Sequence, residues 1–151
     1  MGYHNSNIKP KNTTLIDIEQ FLKELREKEP IAVDFDGVIA HYDGEWRGED
    51  YVGDYYAENR PKWNLQRLMD NGYRVIIYTC RSKLEPVEKF LSKHKVPYHH
   101  INENPYQPYT ISEKKVYAKW YIDDRNPHHK GLTEAVDEIL KGSEEDEERN
   151  A

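Results

Sequence analysis

The feature that most constrains the fold is a series of short apolar runs, each followed at once by a polar, chemically capable residue. Ile31, Ala32 and Val33 form such a run, bounded by Pro30 and by Asp34, Phe35, Asp36 and Gly37. Tyr73 to Tyr78 is a second run, rich in β-branched residues, and leads into Thr79 and Arg81. Val96–Ile101 and Lys119–Ile122 are two more, the last leading into Asp123 and Asp124. Runs of this length and composition read as buried strands.

Between the runs the period changes to that of a helix. Thr14 and Asp17 give an N-terminal capping pattern, and Ile18, Phe21, Leu22 and Leu25 follow as an apolar stripe up to about Lys28. Pro61 opens a stretch carrying Trp63, Leu65, Leu68 and Met69, closed by Asn71 and Gly72. Pro86 to His94 brings Val87, Phe90 and Leu91 to one side, and Leu132, Ala135, Val136, Ile139 and Leu140 make a last amphipathic helix. Strands alternating with helices predict an α/β fold: a three-layer, Rossmann-like domain with a mostly parallel central sheet.

With 151 residues the chain suits one domain. The expected division is a loose N-terminus over 1–13, a catalytic domain over 14–142, and an acidic disordered tail over 143–151. Val38–Asn59 has no sustained period and is too small for its own core, so it reads as a flap, a minimal cap. The net charge of −6 argues against a broad nucleic-acid-binding face. The one cysteine, Cys80, excludes an internal disulfide and reads as a small buried residue. No apolar stretch approaches the roughly 20 residues of a membrane span, and the N-terminus lacks a signal-peptide core, so a cytoplasmic protein is expected. His99–His100 and His128–His129 are adjacent pairs, which on a strand point to opposite faces and chelate poorly together.

In open α/β sheets ligands bind beyond the carboxyl ends of the strands. Asp34, Asp36, Thr79, Arg81, Asp123 and Asp124 should therefore gather at one edge. Carboxylates crowded together repel unless a cation neutralises them, and oxygen ligands of this kind suit Mg²⁺. A metal-bound Asp34 would be an ionised nucleophile toward phosphorus, and Asp36, two residues on, could protonate the leaving oxygen. Thr79 can hydrogen-bond a phosphate oxygen. Arg81 either grips substrate or serves as a salt-bridge partner. Gly37 frees the backbone for the turn and lies where substrate would bind. A lysine before the last strand, Lys115 with Lys114 and Lys119 as competitors, would offset the phosphoryl charge.

Val33 to Val38 resembles the first motif of the haloacid dehalogenase (HAD) superfamily, an apolar strand followed by DxDG. Ile76 to Thr79 is similar to its second motif, Lys115 to its third, and Tyr121 to Asp124 to its acidic fourth, in the right order over roughly residues 31–140. The resemblance implies Asp34 as nucleophile, Asp36 as acid and base, and Mg²⁺ held by Asp34, the Asp36 carbonyl, and Asp123 or Asp124. It implies a phosphomonoesterase acting on a small phosphorylated metabolite or nucleotide. Two alternatives stand beside it. One is a polynucleotide 3′-phosphatase working on a nucleic-acid end, with Arg47, Arg60, Lys62 and Arg81 as phosphate contacts and Trp46, Tyr51, Tyr55 and Tyr56 stacking on bases. The other is a non-catalytic HAD-fold binding protein.

Overall fold

The computed structural model describes residues 15–107 and 114–150. The expectation for residues 1–13, and the Pro108–Tyr109 end of the Pro/Tyr-rich loop, lie outside the described residues. Helix α1 (Leu15–Glu27) precedes β1 (Glu29–Asp34), α2 (Pro61–Asp70) leads to β2 (Tyr73–Tyr78), and α3 (Glu85–Lys93) leads to β3 (His100–Ile101). Strand β4 (Trp120–Ile122) and helix α4 (Leu132–Asn150) close the order. The four strands form an all-parallel sheet in the order β3-β2-β1-β4, flanked by helices in a Rossmann-like arrangement.

Strand alternation explains the two faces. Ile31, Val33, Val75, Ile77 and Ile122 point to one side and pack with Leu65 and Leu68 of α2, Val87 and Leu91 of α3, and Leu132 and Val136 of α4. Arg74, Ile76 and Tyr78 point to the other. There the Tyr106 ring meets His100 edge-on at 5.9 Å and lies under the Arg74 guanidinium at 4.9 Å, with Arg26 of α1 approaching the same ring. Phe35 is fully buried and meets Phe90 edge to face at 5.2 Å. That anchor sends the residue between Asp34 and Asp36 into the core and leaves both acids facing outward.

Four sequence expectations need correction. The run Val96–Ile101 is buried, but only His100 and Ile101 pair as strand; Pro97 has no N–H for the ladder and Lys95 has a left-handed backbone, φ 53°. The apolar stripe of α1 is only partly covered, with Leu25 buried and Ile18 and Leu22 exposed. Helix α4 continues through residues 143–150, where a disordered tail was expected. Glutamates are good helix formers, and Ser143 bonds back to the Ile139 carbonyl at 3.1 Å. Cys80 is exposed, because the backbone leaves the sheet directly after β2.

The flap is a loop, as its composition predicts. It is closed at its base by the bridge between Ala40 and Tyr55, with His41 N–H donating to the Asp54 carbonyl and Tyr56 N–H to the Ile39 carbonyl. Among the described residues, no helix is long and apolar enough to cross a membrane.

Candidate functional site

The parallel sheet brings β1 and β4 side by side, so Asp34 ends one strand beside the pair that follows the other. Asp34, Asp123 and Asp124 each offer a carboxylate oxygen, and these oxygens lie within 4.8 Å of one another. The cluster opens into a cleft of about 400 Å³ lined also by Asp36, Thr79, Cys80, Arg81, Arg125 and, from the flap, Tyr42, Trp46 and Glu49.

Crowding has an electrostatic cost. Burial of Asp34, its hydrogen-bond contact with Asp124, and the charges of Asp123 and Asp124 push its pKa up to about 8. The opposing influence, the Phe35 N–H donated to Asp34 Oδ1 at 2.9 Å, is smaller. Three hard oxygen donors held this close, with no basic side chain in ion-pair contact among the described residues, fit a divalent cation. The donor set does not by itself choose the metal.

Two residues along the chain, Asp36 has the opposite surroundings. Arg81 grips it in a fork, Nε to Oδ2 at 2.8 Å and Nη2 to Oδ1 at 2.9 Å. The Arg81 side chain is almost wholly buried, and its remaining donors go to the flap: Nη1 to the Glu49 carbonyl and Nη2 to the Tyr51 carbonyl. Its backbone N–H donates to Thr79 Oγ1 at 3.2 Å. Of the two roles open to Arg81, the structure displays the salt-bridge partner. Asp36 is thus held apart from the three-carboxylate cluster.

Gly37 serves space more than binding. Its φ is +88°, and a Cβ there would lie 2.1 Å from Asp124 Oδ2. Its N–H is already donated to the Ala40 carbonyl at 2.8 Å. The glycine therefore makes room for the Asp124 carboxylate. Lys115 is exposed, with its ammonium 4.9 Å from the centroid of the Tyr121 ring, and it makes no ion pair with the aspartates. Arg125, not singled out as a site residue by the sequence, does line the cleft.

Asn102 was missed as well. It follows β3 in a left-handed conformation, φ 53°, donates its amide to the Thr79 carbonyl at 2.9 Å, and accepts the Thr79 N–H at 2.7 Å. This two-way clasp fixes the end of β2. The signal was an Asn directly after an apolar run, since Asn tolerates left-handed backbone better than most residues. His99 accepts the Val75 N–H at Nδ1, and burial holds the His99 and His100 rings near a pKa of 3, so neither carries charge at neutral pH.

Fold and site together define a Rossmann-like α/β chain with an acid-lined cleft at the carboxyl edge of its sheet. No protein-family model matches the sequence, and no curated protein matches it. Among solved structures, the fold is similar to that of a conserved protein from Bacteroides thetaiotaomicron, at 20% identity and a TM-score of 0.58, covering 77% of this chain and 93% of that one. At that identity the likeness is one of fold.

Proposed function

We propose that the chain is a Mg²⁺-dependent phosphohydrolase that cleaves small phosphate monoesters through an aspartyl-phosphate on Asp34. The observation that carries this reading is the convergence of Asp34, Asp123 and Asp124 within 4.8 Å, the first two lining a cleft that also holds Thr79. The ordered motifs shared with the HAD superfamily support it. Asp34, Asp123, Asp124 and the Asp36 carbonyl would hold the Mg²⁺, which when bound offsets charge on the nucleophile and the phosphoryl oxygens.

The rest falls to side chains. Thr79 Oγ1 and the Arg125 guanidinium hold phosphate oxygens in place. One Asp34 oxygen forms a bond to phosphorus while the ester P–O bond breaks, and the departing oxygen takes a proton from Asp36. Asp36 can hold that proton only after Arg81 releases one of its oxygens, because both accept hydrogen bonds from the guanidinium. A water molecule, deprotonated by Asp36, then attacks phosphorus. The P–O bond to Asp34 breaks, and inorganic phosphate and free Asp34 result. Lys115 contributes if its flexible stem swings from Tyr121 to the phosphoryl group.

Hydrolysis of p-nitrophenyl phosphate tests the reading: turnover should require Mg²⁺ and vanish in Asp34→Asn. Undiminished turnover in that variant contradicts it. The polynucleotide reading is weakened by the fate of two of its four cations, since Arg47 pairs with Asp43 and Arg81 with Asp36.

A further inference from the structure

The flap carries an exposed tryptophan in the candidate cleft, and its setting says what could cover it. Trp46 is 52% exposed, and it lines the same cleft as Asp34, Thr79 and Asp123. The Arg81 guanidinium lies 4.8 Å from its ring centroid. Arg81 is buried, so the arginine side of the indole is closed, and the exposed remainder faces water.

The indole is also held. Arg81 bonds the Glu49 and Tyr51 carbonyls, and the Glu49 carboxylate accepts hydrogen bonds from Ser82 N–H, Ser82 Oγ and Lys83 N–H. On the other side of Trp46, Arg47 binds both oxygens of Asp43. The loop around Trp46 is therefore tied to the body of the domain at Glu49 and Tyr51, and closed on itself by the Asp43–Arg47 pair. A fixed aromatic surface loses little conformational freedom when a flat ring settles on it.

Resting on the phosphohydrolase reading, the geometry points to a substrate whose leaving group carries a flat aromatic ring, stacked on Trp46 while its phosphate lies at Asp34. Nucleoside monophosphates and aryl phosphates share this chemistry. The ligand is a small molecule because the cations nearest the flap, Arg47 and Arg81, are already paired with carboxylates. A polymer would need a track of free ones.

The test compares AMP and p-nitrophenyl phosphate with ribose 5-phosphate, which lacks the ring. Wild-type kcat/KM should favour both ring-bearing esters by about tenfold, the scale of one base stacking on an aromatic side chain. Trp46→Ala should erase that preference while ribose 5-phosphate turnover stays within about twofold, and Trp46→Phe should keep most of it. A preference that Trp46→Ala removes for AMP alone assigns the ring to a nucleobase, and one it removes for p-nitrophenyl phosphate alone assigns it to an aryl group. Equal loss on all three esters in Trp46→Ala, or no preference in the wild type, overturns the proposal. If the wild type hydrolyses none of them, the phosphohydrolase reading fails separately, and binding decides the stacking. In an Asp34→Asn, Trp63→Phe, Trp120→Phe background, AMP should quench Trp46 fluorescence and ribose 5-phosphate should not; the absence of AMP quenching overturns it.

Discussion

Asp34 and Asp36 stand two residues apart on one turn and occupy opposite electrostatic worlds. The Asp34 half of the cleft gathers three carboxylates without a basic ion-pair partner among the described residues, and its central acid is pushed up to about 8. The Asp36 half supplies its own cation, which also ties down the flap. On the proposed reading a cation from outside completes the first half, whereas the second carries its own counter-charge as folded. The first reads as chemistry, and the second as architecture that must loosen at Arg81 before Asp36 can act.

The sharpest way to break the contrast is at Asp34. Asp34→Asn should lower phosphatase kcat by at least ~10³-fold, since losing a nucleophile costs orders of magnitude, while circular dichroism shows the fold retained. A variant that loses both activity and fold would place Asp34 in the architectural half.

Next in size is Arg81. Removing one partner of a buried pair leaves an uncompensated charge, so Arg81→Ala should cost about 3 kcal/mol in denaturant unfolding. Arg81→Lys should recover only part of this, because an ammonium cannot make the fork. Loss of less than about 1 kcal/mol would mean the flap is held by other bonds.

At Gly37 the two halves touch. Gly37→Ala adds a Cβ 2.1 Å from Asp124 Oδ2 at a φ of +88°. It should destabilise by about 1–2 kcal/mol for the left-handed backbone, and weaken Mg²⁺ affinity by calorimetry as Asp124 is displaced. Unchanged Mg²⁺ affinity would remove Asp124 from the ligand set.

The smallest effect is in pH. Asp34 lies near 8 in the folded state against an ordinary 3.8, so between those values the folded chain keeps a proton that the unfolded chain has lost. Metal-free stability therefore falls as pH rises through that window. His99 and His100, held near 3 against 6.5, act the other way: stability falls as pH drops below 6.5. Between pH 6.5 and 8 the Asp34 slope stands alone. Tm of the metal-free protein should decline there by several degrees, and Mg²⁺ or Asp34→Asn should flatten it. A flat profile without metal contradicts the crowding.

Legibility in the sequence follows the same division. Asp34, Asp36, Thr79, Asp123 and Asp124 were readable because strand ends announce themselves, by apolar runs that stop at polar groups, and a parallel sheet sends those ends to one edge. The Arg81 fork, the Glu49 contacts and the Asn102 clasp join loops 23 to 45 residues apart in sequence, where no period exists to be read. Gly37 was readable as a turn, whereas the space it leaves for Asp124 arises where two neighbouring strands distant in sequence end side by side. Lys115 was chosen among three lysines by spacing alone, and spacing does not say which way a flexible stem points. The α1 stripe shows the limit from the other side: its helical period was plain, but periodicity does not reveal how much of a face finds a partner.

The most direct measurement of the central claim is ¹⁹F NMR with beryllium fluoride, which mimics a phosphoryl group on a carboxylate. The wild-type protein should show bound fluoride resonances only when Mg²⁺ is present, and Asp34→Asn should show none. Bound resonances that persist in Asp34→Asn, or a wild type that forms no Mg²⁺-dependent complex, would contradict Asp34 as the phosphorylated nucleophile.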